Sequence, residues 1–172
     1  MVSTSMLGHY ENFPATIHSS SGYATSISNK KTQETLIHVL LSANKESFKI
    51  EDVAYPTIPH CTVIFEFGIA DGDDFNYLNE EEANKAIKVV RKTPFETMDF
   101  LCDVRYYKKT EERKTALRFD YYMLRFTFGI NQMLIQVSHE KGPRHLTPDD
   151  LIHFLIERIN RASPKKILRE LE

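Results

Sequence analysis

The sequence lacks tryptophan and contains only two cysteines, six glycines and seven prolines among its 172 residues. So little glycine and proline excludes a collagen-like chain and a linker-dominated or disordered one. Lysine and arginine number 22 against 24 aspartates and glutamates, a formal charge of −2, so the chain is not strongly basic. No stretch approaches the roughly 20 apolar residues that cross a bilayer, and the sequence predicts no membrane span.

The two cysteines, Cys61 and Cys102, fall on the apolar phase of two predicted strands. A secreted domain held together by disulfides usually carries more cysteines than this. The start of the sequence also lacks the basic residues and apolar run that make a signal peptide. We therefore expect reduced core thiols and a cytoplasmic location.

Hydrophobic periodicity predicts one α+β domain over residues 1–172, a mostly antiparallel sheet covered by helices in the order β-β-α-β-α-β-β-β-α-α. The clearest helix signals are Asn79 before three glutamates, and Thr147-Pro148 before two aspartates. Helices are expected over 33–43 with Thr32 as the cap, over 80–92, from 148 onward and, in a short form, after Ser163.

Strands are expected as two short pieces around a Ser19–Gly22 turn, and at Cys61–Phe67, Met98–Tyr107, Ala116–Phe128 and Met133–His139. In Ala116–Phe128 the apolar alternation changes phase, which predicts a β-bulge near Tyr121–Met123 or a strand buried on both faces. The last three strands form an antiparallel meander, because Gly129-Ile130-Asn131 has the composition of a tight turn.

A basic stretch just before the helix capped by Thr147 predicts an anion site. Helix N-termini attract anions through their N–H groups, and the side chains here add positive charge. The alternative is that Asp149 and Asp150 already satisfy this helix end. The expected anion-binding residues are His139, Lys141, Arg144 and His145.

The stretch His60-Cys61-Thr62-Val63 places a histidine and a threonine two residues apart on a strand, so both side chains point the same way. This resembles one half of the two-histidine phosphoesterase pattern, in which two His-x-Thr/Ser strands face each other across a cleft. The resemblance implies that one histidine acts as general base and the other as general acid. His145-Leu146-Thr147 matches the second half in its letters, although Pro148 follows it, and His18-Ser19-Ser20 is the other candidate.

A basic and aromatic hairpin carries the third set of candidates. Basic side chains among exposed tyrosines can follow a phosphate backbone and stack on bases, whereas charged hairpins also serve as solvated edges that discourage sheet pairing. Glu111 and Glu112 lie at its predicted tip. The nucleic-acid candidates are Arg105, Tyr107, Lys108, Lys109 and Arg118.

Several signatures of catalysis are absent from the sequence, including phosphate-binding glycine loops, the GxSxG elbow and paired CxxC motifs. His139 and His145 lie six residues apart across a Gly-Pro turn, which does not match two zinc-binding histidines four apart on one helix. The acidic loop Asp71–Asp74 lacks the spacing of a calcium loop. The sequence predicts neither a metal nor a cofactor.

These observations favour a protein that acts by binding rather than by catalysis, because no complete catalytic constellation is present. The expected partner is a second copy, another protein or a small anionic ligand. A phosphoesterase using His60, Thr62 and a second histidine such as His145, and a nucleic-acid-binding module, are the alternatives.

We expect a symmetric homodimer, because eleven phenylalanines and eight tyrosines exceed what a core of this size hides, and surplus aromatic surface favours interfaces. Light scattering at high protein concentration measures the mass directly. A mass equal to the 20.0 kDa monomer would contradict this expectation.

Overall fold

The structure, a computed structural model, describes residues 6–54, 60–109 and 113–171. In chain order its helices and strands are β1 (Ser19–Thr25), α1 (Asn29–Ala43), β2 (Ser47–Lys49), β3 (Cys61–Asp71), β4 (Asp74–Tyr77), α2 (Glu80–Lys92), β5 (Thr97–Lys109), β6 (Lys114–Ala116), β7 (Asp120–Gly129), β8 (Gln132–Lys141), α3 (Pro148–Arg161) and β9 (Leu168–Glu170). A single 3-10 turn, Ile50–Asp52, follows β2. Within these ranges no helix combines the length and apolar character that a membrane crossing needs.

The strands join one nine-stranded sheet whose main path is β2-β3-β5-β7-β8-β1-β9, with β4 beside β3 and β6 beside β5. Neighbouring strands pair antiparallel throughout the described residues. The predicted α+β class is therefore confirmed. So is the predicted meander, since β5, β7 and β8 are successive neighbours.

The sheet has two chemically different faces because successive side chains of a strand point in opposite directions. One face is apolar and packs against the helices; Phe65 of β3, for example, stacks on Phe154 of α3 with ring centroids 5.0 Å apart. Packing of this apolar face against α1 and α3 buries the core. We call the opposite face the outer face; it carries Leu101, Asp103 and Arg105 of β5 and Tyr121, Met123 and Arg125 of β7.

The N-terminal segment 7–13 packs on the outer face through Asp99, a fully buried carboxylate. Asp99 accepts two hydrogen bonds from the Arg125 guanidinium, at 2.7 and 2.9 Å, and one from the Tyr10 backbone N–H at 2.8 Å. The same guanidinium lies 4.2 Å from the ring centroid of Phe13. This bidentate pair anchors the segment, since an isolated buried carboxylate is costly.

The capping signals in the sequence place α2 and α3 correctly. Asn79 caps α2 by accepting the Glu82 N–H, and Thr147 forms a capping box with Asp150 at the start of α3. A register shift does occur beside Tyr121 and Tyr122, but its extra residue is Glu140 of β8 and not a residue of the strand in which the bulge was predicted.

Other predicted elements are wrong. The Ser19–Gly22 turn is part of one continuous strand, β1, which pairs with β8 along its length. The helix predicted from 33 begins at Asn29, because Ser28 rather than Thr32 caps it. The predicted strand Ala116–Phe128 starts too early, since β7 begins at Asp120, and its change of phase reflects the predicted alternative of burial on both faces, because Tyr122, Met123 and Leu124 are all buried. The short strands β2, β4, β6 and β9 were not expected.

The short helix predicted after Ser163 is also wrong: the chain there becomes the edge strand β9. The side chain of Asn160, at the end of α3, accepts the N–H groups of Ile167 at 3.0 Å and Leu168 at 2.8 Å. It also donates to the Leu168 carbonyl at 3.1 Å. One amide thus holds this segment extended and covers the outward backbone groups of Leu168 at the sheet edge.

Replacing Asn160→Ala should lower the free energy of unfolding by about 2 kcal/mol, because it leaves three backbone groups without their partner. Denaturant unfolding measures this loss. Asn84→Ala, at an exposed position of α2, is the matched control and should change stability little. Equal stabilities of the two variants would contradict the role given to Asn160.

Candidate functional site

A buried carboxylate, Asp120, gathers donors from three parts of the chain on the helix-covered face. Asp120 is 0% exposed. One oxygen accepts from His139 Nε2 at 2.8 Å and from the Arg144 backbone N–H at 2.7 Å. The other accepts from the Tyr106 hydroxyl at 2.6 Å and from the His145 backbone N–H at 2.9 Å. Four donors satisfy the carboxylate and offset the cost of its burial.

The two tyrosines beside Asp120 keep their protons. Burial first, and then neighbouring Tyr122 and Asp120, raise the pKa of the Tyr106 hydroxyl. Burial first, and then Asp120, also raise the pKa of Tyr122, whose hydroxyl donates to the Leu146 carbonyl. Both hydroxyls therefore act as hydrogen-bond donors that tie strands and the loop before α3 together.

His139 is held between Asp120 and Arg144, with a side chain only 6% exposed. Its Nε2–H faces Asp120, and its Nδ1 accepts from Arg144 Nε at 3.3 Å. This pattern fits the neutral tautomer with its proton on Nε2. The His139 backbone N–H donates to Nδ1 of His18 at 2.9 Å, so His18 completes the cluster from β1's side.

The loop that carries these donors has a constrained backbone. Arg144 lies in the left-handed region at φ 62°, and Gly142 at φ 110°. A side chain on Gly142 would collide with the Phe119 carbonyl and with Asp120 itself. Glycine at this position is therefore what lets the loop close over the carboxylate.

The structure brings three of the four predicted anion-binding residues together, around an anion of the chain itself. The Arg144 and His145 N–H groups and the His139 imidazole are all directed at Asp120. Lys141 lies on the outer face, since it pairs with Tyr121. The helix end is satisfied by its capping box. Binding of an external anion here stays a prediction.

Of the phosphoesterase candidates, His145 and His18 belong to this cluster, whereas His60 and Thr62 lie apart from it. His60 lies before β3, and its backbone N–H faces Glu51 at 3.4 Å. Thr62 belongs to the outer face, because the alternate residues Cys61 and Val63 face the helices, whereas His139 and Asp120 lie on the helix-covered face. The strands β5 and β7 separate β3 from His139. His145 packs edge-on against the Tyr106 ring at 5.0 Å.

The predicted basic hairpin exists as β5 and β6, with Glu111 and Glu112 outside the described residues. Arg105 is paired with two carboxylates, at 3.3 Å from Glu66 and 3.7 Å from Asp103. Tyr107 lies under the ammonium of Lys114, which is 4.7 Å from its ring centroid. Lys108 and Arg118 are exposed, and the Lys109 side chain is outside the described part. Nucleic-acid binding stays a prediction.

A second site, absent from the sequence-based candidates except for Lys141, is a cavity on the outer face. Its volume is about 570 Å³ and its walls are Asp103, Phe119, Tyr121, Met123, Glu140 and Lys141. We call it the outer cavity. The bulge in β8 forms its rim, because it brings both Glu140 and Lys141 to this face.

Asp103, in the wall of the outer cavity, is poorly paired compared with Asp99 and Asp120. One of its oxygens is inaccessible to solvent and has no hydrogen-bond partner among the residues that the structure describes. The other oxygen lies 3.7 Å from Nη2 of Arg105, whose Nε lies 3.3 Å from Glu66. Burial first, and Glu66 to a lesser degree, raise the pKa of Asp103, while Arg105 opposes the rise.

Sequence reasoning missed Asp120 and Asp103 as site residues, and it named His18 only as a possible partner in the phosphoesterase pattern. One signal for Asp120 was available: it lies on the same alternation phase as Tyr122, Leu124 and Phe126, and a carboxylate on a core-facing phase needs partners. Comparison with known proteins adds no relative, since no family model, no curated protein and no solved structure matches the chain.

Replacing Asp120→Asn should lower the free energy of unfolding by about 3 kcal/mol or more, because the hydrogen bonds of four buried donors to one charged acceptor are weakened or lost together. An amide has one acceptor oxygen and sets its own N–H₂ against the existing donors. Asp73→Asn, in the exposed β3–β4 turn, provides the same change of charge as a control. Denaturant unfolding compares the two, and a loss below 1 kcal/mol for Asp120→Asn would contradict the account of the cluster.

Proposed function

We propose that this protein is a binding protein that takes a small amphipathic ligand in the outer cavity. The observation that carries the proposal is the composition of the cavity: aromatic and thioether walls of Phe119, Tyr121 and Met123, with charged groups at fixed places among them. A volume of about 570 Å³ lies within the range of small-molecule sites, which typically combine apolar walls with a few convergent polar groups.

Exposure of an aromatic wall supports the same proposal. Phe119 is 46% exposed although it lies beside the buried Met123 and half-buried Tyr121. Burying this ring under a ligand removes apolar surface from water and is favourable. The chain is anchored at the next residue, Asp120, whose side chain accepts four hydrogen bonds.

The other surfaces support a role in binding less well. The edge strands β2 and β9 have three residues each, and Asn160 covers part of β9, so the edges offer little for strand addition. The polar groups of the Asp120 cluster are directed at one another. Self-association and binding to a protein partner therefore stay separate proposals without a surface assigned to them.

A cytoplasmic location is part of the proposal. Cys61 and Cys102 are both buried as free thiols, and burial raises the pKa of each, which keeps them protonated and unreactive. Such thiols suit a reducing compartment.

Binding in the outer cavity should shift the methyl resonance of Met123 in protein labelled with ¹³C at its methionine methyl groups. The probes are 1-hexanol, hexylammonium and hexanoate, which share one chain and differ in charge. Met98, fully buried in the core, should keep its resonance. The absence of a saturable Met123 shift with all three probes would refute the proposal.

Removal of the exposed wall by Phe119→Ala should weaken binding of the best probe about tenfold, since it exposes much of the bound chain to water. The matched control is Tyr77→Ala, another exposed aromatic, at the end of β4 and outside the cavity. Equal affinities for the two variants would count against the assignment of the site to the outer cavity.

A further inference from the structure

We propose that the ligand of the outer cavity is an organic cation, a primary alkylammonium whose charge docks at Asp103. This inference rests on the proposed function and names the chemical class that the cavity selects. It follows from the state of one carboxylate, the balance of charge around it and the character of the walls.

The state of Asp103 supplies the first argument. Its side chain is only 19% exposed, and one oxygen has neither water access nor a donor. The carboxylate as a whole lines the outer cavity, and rotation about the terminal bond of an aspartate is soft. A bound ammonium would therefore supply a charge-assisted N–H donor to a carboxylate that is partly desolvated and incompletely paired.

Arg105 compensates Asp103 only in part, through a long contact to its other oxygen. Its guanidinium lies 3.3 Å from Glu66 and 3.7 Å from Asp103, so its charge is shared and its closer partner is Glu66. Arg105 is also half exposed, which weakens its pairing through solvent screening. The raised pKa of Asp103 agrees with a carboxylate whose charge is incompletely compensated.

The charges that face the cavity supply the second argument. The cavity is lined by two carboxylates, those of Asp103 and Glu140, and by one ammonium, that of Lys141. Glu140 is exposed and receives only a hydrogen bond of 3.3 Å from the Ser138 hydroxyl. A bound monocation balances the set, whereas a bound anion would raise the net negative charge of the site.

The walls supply the third argument. Burial raises the pKa of Tyr121 most, and nearby Tyr10, Asp103 and Glu140 add to the rise, so the phenol stays neutral. The neutral Tyr121 ring and the exposed Phe119 ring can each stabilise a cation at their faces. Met123 adds a polarisable contact for an alkyl chain.

The test compares the three matched probes on the full chain by the Met123 methyl shift. Hexylammonium should bind at least tenfold more tightly than 1-hexanol, as expected for a charge-assisted hydrogen bond, and hexanoate should bind more weakly than both. Binding of 1-hexanol within twofold of hexylammonium would overturn the inference while leaving the outer cavity as a binding site. Preferential binding of hexanoate would do the same.

Substitutions then locate the charge. Asp103→Asn should reduce hexylammonium affinity about tenfold and leave 1-hexanol affinity unchanged, and Asp73→Asn, an exposed turn residue, should change neither. Lys141→Met should tighten hexylammonium binding by removing the competing cation. If Asp103→Asn disturbs the Met98 resonance and hence the core, Glu140→Gln on its exposed side chain is the second variant, expected to weaken hexylammonium binding about threefold. Unchanged hexylammonium affinity in the folded Asp103→Asn variant, or in Glu140→Gln where that variant is needed, overturns the inference.

Discussion

The buried carboxylate of Asp120 is the constraint on which the C-terminal half of the protein depends. A charge in this position must be satisfied by donors, and Tyr106, His139 and the backbone of the loop before α3 supply them. Two consecutive backbone N–H groups, those of Arg144 and His145, fix the path of the loop. The helix α3 begins two residues later, where Thr147 caps it, so the carboxylate fixes the loop that leads into that helix.

The same constraint acts through the sheet on the opposite face. His139 reaches Asp120 only if it faces the helices, while Lys141 must pair with Tyr121 on the outer face. The extra residue Glu140 reconciles the two requirements, because a bulge lets one strand change its side-chain phase. The rim of the outer cavity, Glu140 and Lys141, is thus a consequence of the bonding around Asp120. The extra residue Glu140 therefore affects both faces of the sheet, since it lets His139 face the helices and Lys141 the outer face.

The local signals in the sequence predicted the parts of the fold that depend on neighbouring residues. Asn79, and Thr147 with Asp150, cap helices through contacts three residues away, so α2 and α3 were found. The prediction of a helix at the end of the chain failed because the structure there depends on a residue farther away in the sequence. Its extended form depends on Asn160, whose amide reaches Ile167 and Leu168 across a turn. Ser163-Pro164 followed by apolar residues is a pattern typical of a helix start. That local pattern contains no sign of the hydrogen bonds from the Asn160 side chain that hold the segment extended.

The candidate sites illustrate the same limit. The sequence predicted that His139, Arg144 and His145 would act together, and the structure does bring them together. Their shared partner lies nineteen or more residues earlier in the chain, and long-range pairing of this kind is set by strand register. The outer cavity could not be predicted, although the meander was, because it depends on the extra residue Glu140, which brings both Glu140 and Lys141 to the outer face.

Three aspartates of this one sheet show how selective the pairing is. Asp99 receives an arginine fork and a backbone N–H, and Asp120 receives four donors. Asp103 lies on β5 between Asp99 and Val104, the residue that pairs with Asp120. Within the described residues it nevertheless keeps an oxygen without a partner. The surroundings that satisfy two carboxylates so fully leave the third at the wall of a cavity, beside aromatic rings. Under the proposed function, the ammonium of a ligand would supply the donor that this carboxylate lacks, whereas Asp99 and Asp120 have no such need.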